Sequence, residues 1–231
     1  MNKLRFTESA PGQATEVVKK SFTVELWSRF FDCLGKISLS RLVRWIVSKK
    51  FPSIKESYLF VDYWVLGNLL LSFILLSVLT APNLPWYEVI FLTYAIFRVF
   101  EVIIYQINVL LFDEYRAKKK GQEYALRGYR RIVILVLNNY LEVMFWFALI
   151  YRNITWAFES NGVCLNSFFQ SLNLSFVTMT TFGHTDIVPK NGLGGFLVLI
   201  QSAVGLFMAL VVLARIIGLL PTPKTKDEFE K

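Results

Sequence analysis

The stretch SFVTMTTFGHTDIVP, residues Ser175–Pro189, is too polar to cross a bilayer and too apolar for an ordinary surface loop. It holds the chain's only histidine and lies between two long apolar runs. Non-helical backbone at membrane depth is tolerated only where protein buries it or where it lines a water-filled path. A short half-helix that enters the membrane and returns as extended chain satisfies that condition, and ion selectivity filters are built this way.

The surrounding composition sets the same frame. The 231 residues are 55% hydrophobic, 16% aromatic and 18% charged, against about 25% charged in a typical soluble domain. The apolar residues fall in blocks of the length a helix needs to span a bilayer. Four spans are expected: Tyr58 to Thr80, Tyr87 to Phe112, Ile132 to Tyr151 and Gly194 to Leu219. Pro82 and Pro85 break the chain between the first two. No cleavable signal peptide is evident, because the first fifty residues alternate basic and apolar.

The net charge of +8 reads as orientation, not as a nucleic-acid surface. Eleven Lys or Arg precede residue 56, seven lie from Arg116 to Arg131, and four lie from Arg215 onward. The intervening loops hold only Arg152 and Lys190. This places both termini and the 113–131 linker in the cytoplasm of a multi-pass cell-membrane protein. Within the linker, Arg116, Lys118, Lys119, Lys120, Arg127, Arg130 and Arg131 are candidates for anionic lipid.

Residues 1–57 carry helical apolar spacing from Val17 to Lys50 with basic residues between. They predict amphipathic helices, lying in the interface or packed on a partner or neighbouring subunit. Cys33 and Cys164 fall on opposite sides of the membrane, so no bridge within one chain is expected, while a Cys164 bridge between subunits stays open.

The motif in Ser175–Pro189 resembles the pore signature of potassium channels, T-x-T-T-V/I-G-Y/F-G-D. Thr178, Thr180, Thr181, Gly183 and Asp186 match; Phe182, His184 and Thr185 depart, giving TTFGHTD in place of TTVGYGD. The likeness continues through the last span, which is similar to the family's inner helix, with Gly205 where a gating hinge often sits. It covers roughly residues 131–219.

The resemblance implies a fold and a function. The fold is an all-α membrane protein with four transmembrane helices plus a re-entrant pore helix and filter loop, assembled as a homotetramer around a central pore. Its parts are the N-terminal segment 1–57, peripheral spans 58–112, linker 113–131, pore module 132–219 and tail 220–231. The function is passive K+ transport, with backbone carbonyls replacing the ion's water. Thr181, Phe182, Gly183, His184 and Thr185 would bind the ion, supported by Thr178, Thr180 and Asp186. Side chains of the filter would turn outward toward the pore helix. No cofactor beyond the permeant cation is expected.

The departures leave alternatives. Thr185 stands where the family holds a left-handed glycine, at a cost of about 1–2 kcal/mol per copy for a non-glycine residue. A rearranged outer mouth is therefore expected, and a weakly selective cation channel that also passes Na+ remains open, as does a non-conducting pore-like sensor. His184 either makes one hydrogen bond to its surround or senses pH.

Arg98 and Glu101 in the second span and Glu142 in the third form a candidate intramembrane pair, Arg98 with Glu101 or with Glu142. Voltage sensing takes about 3–4 gating charges per subunit, and no row of arginines occurs, so strong voltage gating is not expected. The twelve residues after Leu219 leave no ligand-binding domain to expect there. No His, Cys or carboxylate cluster has catalytic or metal-ligand spacing, which speaks against an enzyme.

Overall fold

A computed structural model describes residues 22–36, 59–78, 85–119, 128–160, 164–183 and 186–217, with single positions outside these runs. His184, Thr185, Lys120, Arg127 and the tail 220–231 lie outside the described residues.

Among the described residues, four helices are long and apolar enough to cross a membrane, as an all-α membrane protein requires. The first, α2 (Leu59–Val78), follows a shorter N-terminal helix, α1 (Phe22–Lys36). Next comes α3 (Pro85–Ile107), which starts on Pro85, tolerated where the first-turn N–H groups have no helical acceptor. The expected boundary at Phe112 is corrected here. The helix passes through a π-helical turn, Asn108–Phe112, directly into α4 (Asp113–Lys119). Ion pairs one turn apart, Arg116–Asp113 at 3.5 Å and Lys118–Glu114 at 2.9 Å, favour helix over loop there.

The middle of the molecule is α5 (Tyr129–Asn153), which packs against α2 and α3 on one side and the pore-region helices on the other. Val143, Trp146, Leu149 and Tyr151 are consequently fully buried. After a 3-10 turn at Thr155–Ala157, β1 (Phe158–Ser160) pairs antiparallel with β2 (Ile187–Pro189), Phe158 facing Pro189 and Ser160 facing Ile187. The segment expected as an external loop is thus clamped to the chain leaving the motif. Between the strands runs a 12-residue helix, α6 (Phe168–Met179), about 18 Å long and too short to span. The last helix, α7 (Gly192–Ile217), opens with the Asn191 carboxamide oxygen accepting from the Gly194 N–H at 3.0 Å, an N-cap.

Two polar ties fasten α5 to α2. The Arg131 guanidinium grips Asp62 on α2 at 2.7 and 3.2 Å. Arg152, read from sequence as a loop residue, is buried and donates at 2.5 Å to the carbonyl of Leu76, one of the carbonyls α2 leaves open at its end.

Helix α1 makes contacts with its own chain. Phe31 stacks on Phe112 at 5.7 Å, Asn108 donates to the Phe31 carbonyl at 3.1 Å, and Arg116 donates to the Ser28 carbonyl at 3.0 Å. Leu26, Trp27 and Phe30 stay about half exposed, so an apolar face still points outward. Cys33 and Cys164 are exposed and unbridged.

Candidate functional site

The short helix α6 is held by buried side chains that the apolar pattern does not show. Gln201 of α7 donates its amide to the Ser175 carbonyl at 3.0 Å and to Ser175 Oγ at 2.7 Å. The Tyr151 hydroxyl of α5 donates to Gln201 Oε1 at 2.5 Å, and Ser175 Oγ donates to the Met144 carbonyl at 2.7 Å. Gln201, Ser175 and Tyr151 are fully buried. Thr178 is also buried. A polar residue in the middle of the run FLVLIQSAVG was the signal for Gln201, and Ser171 with Ser175, one turn apart, was the signal for the face of α6 it meets.

Close backbone contact reinforces this network. A Cβ on Gly205 would overlap the Met179 carbonyl oxygen and sit 2.8 Å from its carbon, so glycine is what lets α7 touch the end of α6. The Tyr140 hydroxyl donates to that same Met179 carbonyl at 3.3 Å. Gly205 therefore has a packing role in this structure.

The end of α6 is a Schellman turn. The Phe182 N–H donates to the Val177 carbonyl at 3.0 Å and the Thr181 N–H to the Thr178 carbonyl at 3.3 Å. This motif needs a left-handed residue, commonly glycine, yet here it is Thr181 at φ 57°. The Thr181 hydroxyl donates to the Thr180 carbonyl at 2.7 Å, while Thr180 Oγ1 donates back to Phe176 at 2.8 Å. Gly183 follows at φ 83°. Among the described residues the left-handed positions of the motif are thus 181 and 183, and the strain expected at Thr185 falls outside them.

The turn carries the chain off the helix, leaving Thr180, Thr181, Phe182, Gly183 and Asp186 exposed. Phe182 is 79% exposed in the single chain.

Arg98, Glu101 and Glu142 come together as a triad. The Arg98 guanidinium bonds Glu142 through two nitrogens, at 2.5 and 3.1 Å, and Glu101 through a third at 2.7 Å. Trp146 Nε1 donates to Glu142 Oε1 at 3.1 Å, and the Ser38 hydroxyl bonds Glu101. All three ionisable groups are buried.

Among the described residues of the linker, four cations are engaged within the chain. Arg116 holds Ser28 and Asn108, Lys118 pairs with Glu114, Lys119 with Glu25, and Arg131 with Asp62. Arg130 is exposed.

Residues 139–220 match the family model described as an ion channel. No curated protein and no solved structure matches the chain. The match begins inside α5 and takes in α6, the exposed turn and α7, the elements that the Gln201 network binds together. The match supports an ion-channel module over that stretch, and the four apolar helices support a multi-pass membrane protein.

Proposed function

We propose that the chain forms a homotetrameric cation channel that passes K+ passively through a pore of potassium-channel type. The observation that carries this reading is α6, a half-span helix slung between two full spans and ending in the exposed turn Thr180–Gly183. Its C-terminal carbonyls present a partial negative charge, which favours a cation nearby.

Thr181, Phe182, Gly183, His184 and Thr185 supply the ion-binding oxygens, with Thr178, Thr180 and Asp186 in support. Four copies supply the ring of carbonyls that one chain lacks. Leu206, Leu210 and Leu213 make an exposed apolar stripe on α7 at helical spacing, suited to a neighbouring subunit or to lipid. Residues 132–219 act as the pore module, 58–112 brace it, and the basic linker with both termini faces the cytoplasm. There Arg130 is the described cation best placed for anionic lipid.

Bilayer recording of the purified chain under bi-ionic K+/Na+ conditions tests the reading. A reversal potential displaced toward K+ is expected. A value near zero would reduce the function to weakly selective cation conduction, which the departures Phe182, His184 and Thr185 already favour as the second reading. Absence of flux from liposomes would leave a pore-like sensor.

A further inference from the structure

A cavity of about 370 Å³ opens among α1, α2, α3 and α5. That volume lies within the range of small-molecule sites, which are mostly apolar with a few polar groups fixing orientation. Neither α6 nor the Thr180–Gly183 turn lines it.

Three buried side-chain atoms among the described residues have no hydrogen-bond partner: Trp64 Nε1, Gln106 Nε2 and Asn139 Oδ1. Two of them, on Trp64 and Asn139, belong to residues that line this one cavity. Asn139 is 2% exposed, and a buried polar group costs free energy unless something pairs with it. The Trp64 ring is held in place. It stacks on Phe60 at 6.2 Å and carries the Arg98 guanidinium 5.6 Å from its centroid.

The two atoms belong to one neighbourhood. Arg98 sits over Trp64 and bonds Glu142, and Asn139 lies one turn before Glu142 on α5. One atom is a donor and the other an acceptor, and a hydroxyl both donates and accepts. A charged head is disfavoured. The ionic groups at the cavity hold one another, Arg98 with Glu101 and Arg116 with Asp113, and a further charge taken out of water without a partner is costly. On the outer side the wall is apolar. Phe97 is 55% and Phe100 46% exposed on α3, a span, so a molecule dissolved in the bilayer reaches the cavity from there.

We propose that this cavity binds an uncharged, hydroxyl-headed lipid, whose hydroxyl donates to Asn139 Oδ1 and accepts from Trp64 Nε1 while its hydrocarbon lies along Phe97 and Phe100. The site stands apart from the proposed ion path, so it holds whether or not the chain conducts.

The test is photolabelling of the full chain in phosphatidylcholine nanodiscs by a long-chain alcohol that carries a diazirine on its tail. Mass spectrometry identifies the crosslinked residues, and saturable labelling of α2 and α3 beside the cavity is expected. The methyl ether of the same probe, which cannot donate to Asn139, should bind about three- to tenfold more weakly. The alcohol should lose about as much on Trp64→Phe or Asn139→Leu. Val61→Trp, which puts an indole into the cavity and leaves both polar atoms in place, should abolish labelling. Competition separates the sources of the hydroxyl: displacement by 1-monoolein assigns the site to a glyceride, and displacement by cholesterol to a sterol. Labelling that does not saturate, as in a cavity holding only water, overturns the proposal. So does equal labelling by the methyl ether, labelling unchanged by Val61→Trp or by both polar variants, or displacement by neither lipid. Should a variant fail to fold, the methyl ether and the lipid competition on the native chain decide. Because no current is read, failure here leaves the conduction reading standing.

Discussion

Gln201 on α7 meets Ser175 on α6 through one amide nitrogen that reaches both the Ser175 carbonyl, at 3.0 Å, and its hydroxyl, at 2.7 Å. With Tyr151 accepted by the other end of the same side chain, three helices share one buried polar knot. In an apolar surround each of these groups is costly once its partner is gone.

Gln201→Leu should therefore lower stability by more than a lone hydrogen bond. It strands the Tyr151 hydroxyl and part of the Ser175 group, at about 1–3 kcal/mol for each unsatisfied group. Thermal unfolding of the detergent-solubilised chain should show the loss, and liposome flux should fall with it. An unchanged melting temperature would mean that α6 is held by packing alone.

Two glycines of α7 should respond with opposite sign. Gly205→Ala drives a methyl into the Met179 carbonyl and should cost about 1–3 kcal/mol, as overpacking does. Gly195→Ala meets nothing within 4 Å and should gain up to about 1 kcal/mol from helix propensity. If Gly205→Ala kept full stability but altered open probability, the hinge role would outrank the packing role.

Breaking the Arg98 triad should be the most damaging single change among the spans. Arg98→Met removes the counter-charge bonded to the buried Glu142 and one of the partners of Glu101, and removing one member of a buried pair costs about 3–5 kcal/mol. Arg98→Lys should rescue little, because an ammonium cannot reproduce the two parallel bonds to Glu142. Yield of folded protein on size-exclusion chromatography gives the comparison.

Thr181→Gly separates backbone strain from ion chemistry. Relief of the left-handed threonine should stabilise the turn by about 1 kcal/mol. Loss of its hydroxyl should weaken K+ preference in bi-ionic recording if Thr181 lines the path. Unchanged selectivity would remove Thr181 from the set of ion-binding oxygens.

Docking of α1 should depend on acid pH. The Lys119 ammonium, then Arg29, hold the Glu25 carboxyl below its ordinary value of 4.5. A lowered folded-state value contributes stability above 4.5 that is lost as pH falls through the lowered value. Trp27 fluorescence in nanodiscs should report undocking below that pH, and Glu25→Gln should flatten the profile.

Much of the architecture was legible before any coordinates. Runs of apolar residues long enough for a bilayer, and a clustering of Lys and Arg that skips Arg152 and Lys190, are properties of the chain alone. The short polar-apolar stretch ahead of α7 likewise had one economical solution, a helix that does not cross. Boundaries were less legible. At Phe112 the change from apolar to charged residues read as the end of a helix, but the backbone continues because Asp113 and Glu114 pair with cations a turn later.

What the sequence by itself determined, then, is which segments enter the membrane, because transfer free energy is close to a sum over residues. What only the tertiary structure decided is which polar atoms meet inside it. Arg98 takes both glutamates instead of one, Gln201 reaches across to Ser175 and Tyr151, and Gly205 lies against Met179. Hydrogen bonds and close contacts depend on angstrom-scale distances between residues far apart in the chain, and no periodicity in the sequence encodes those distances.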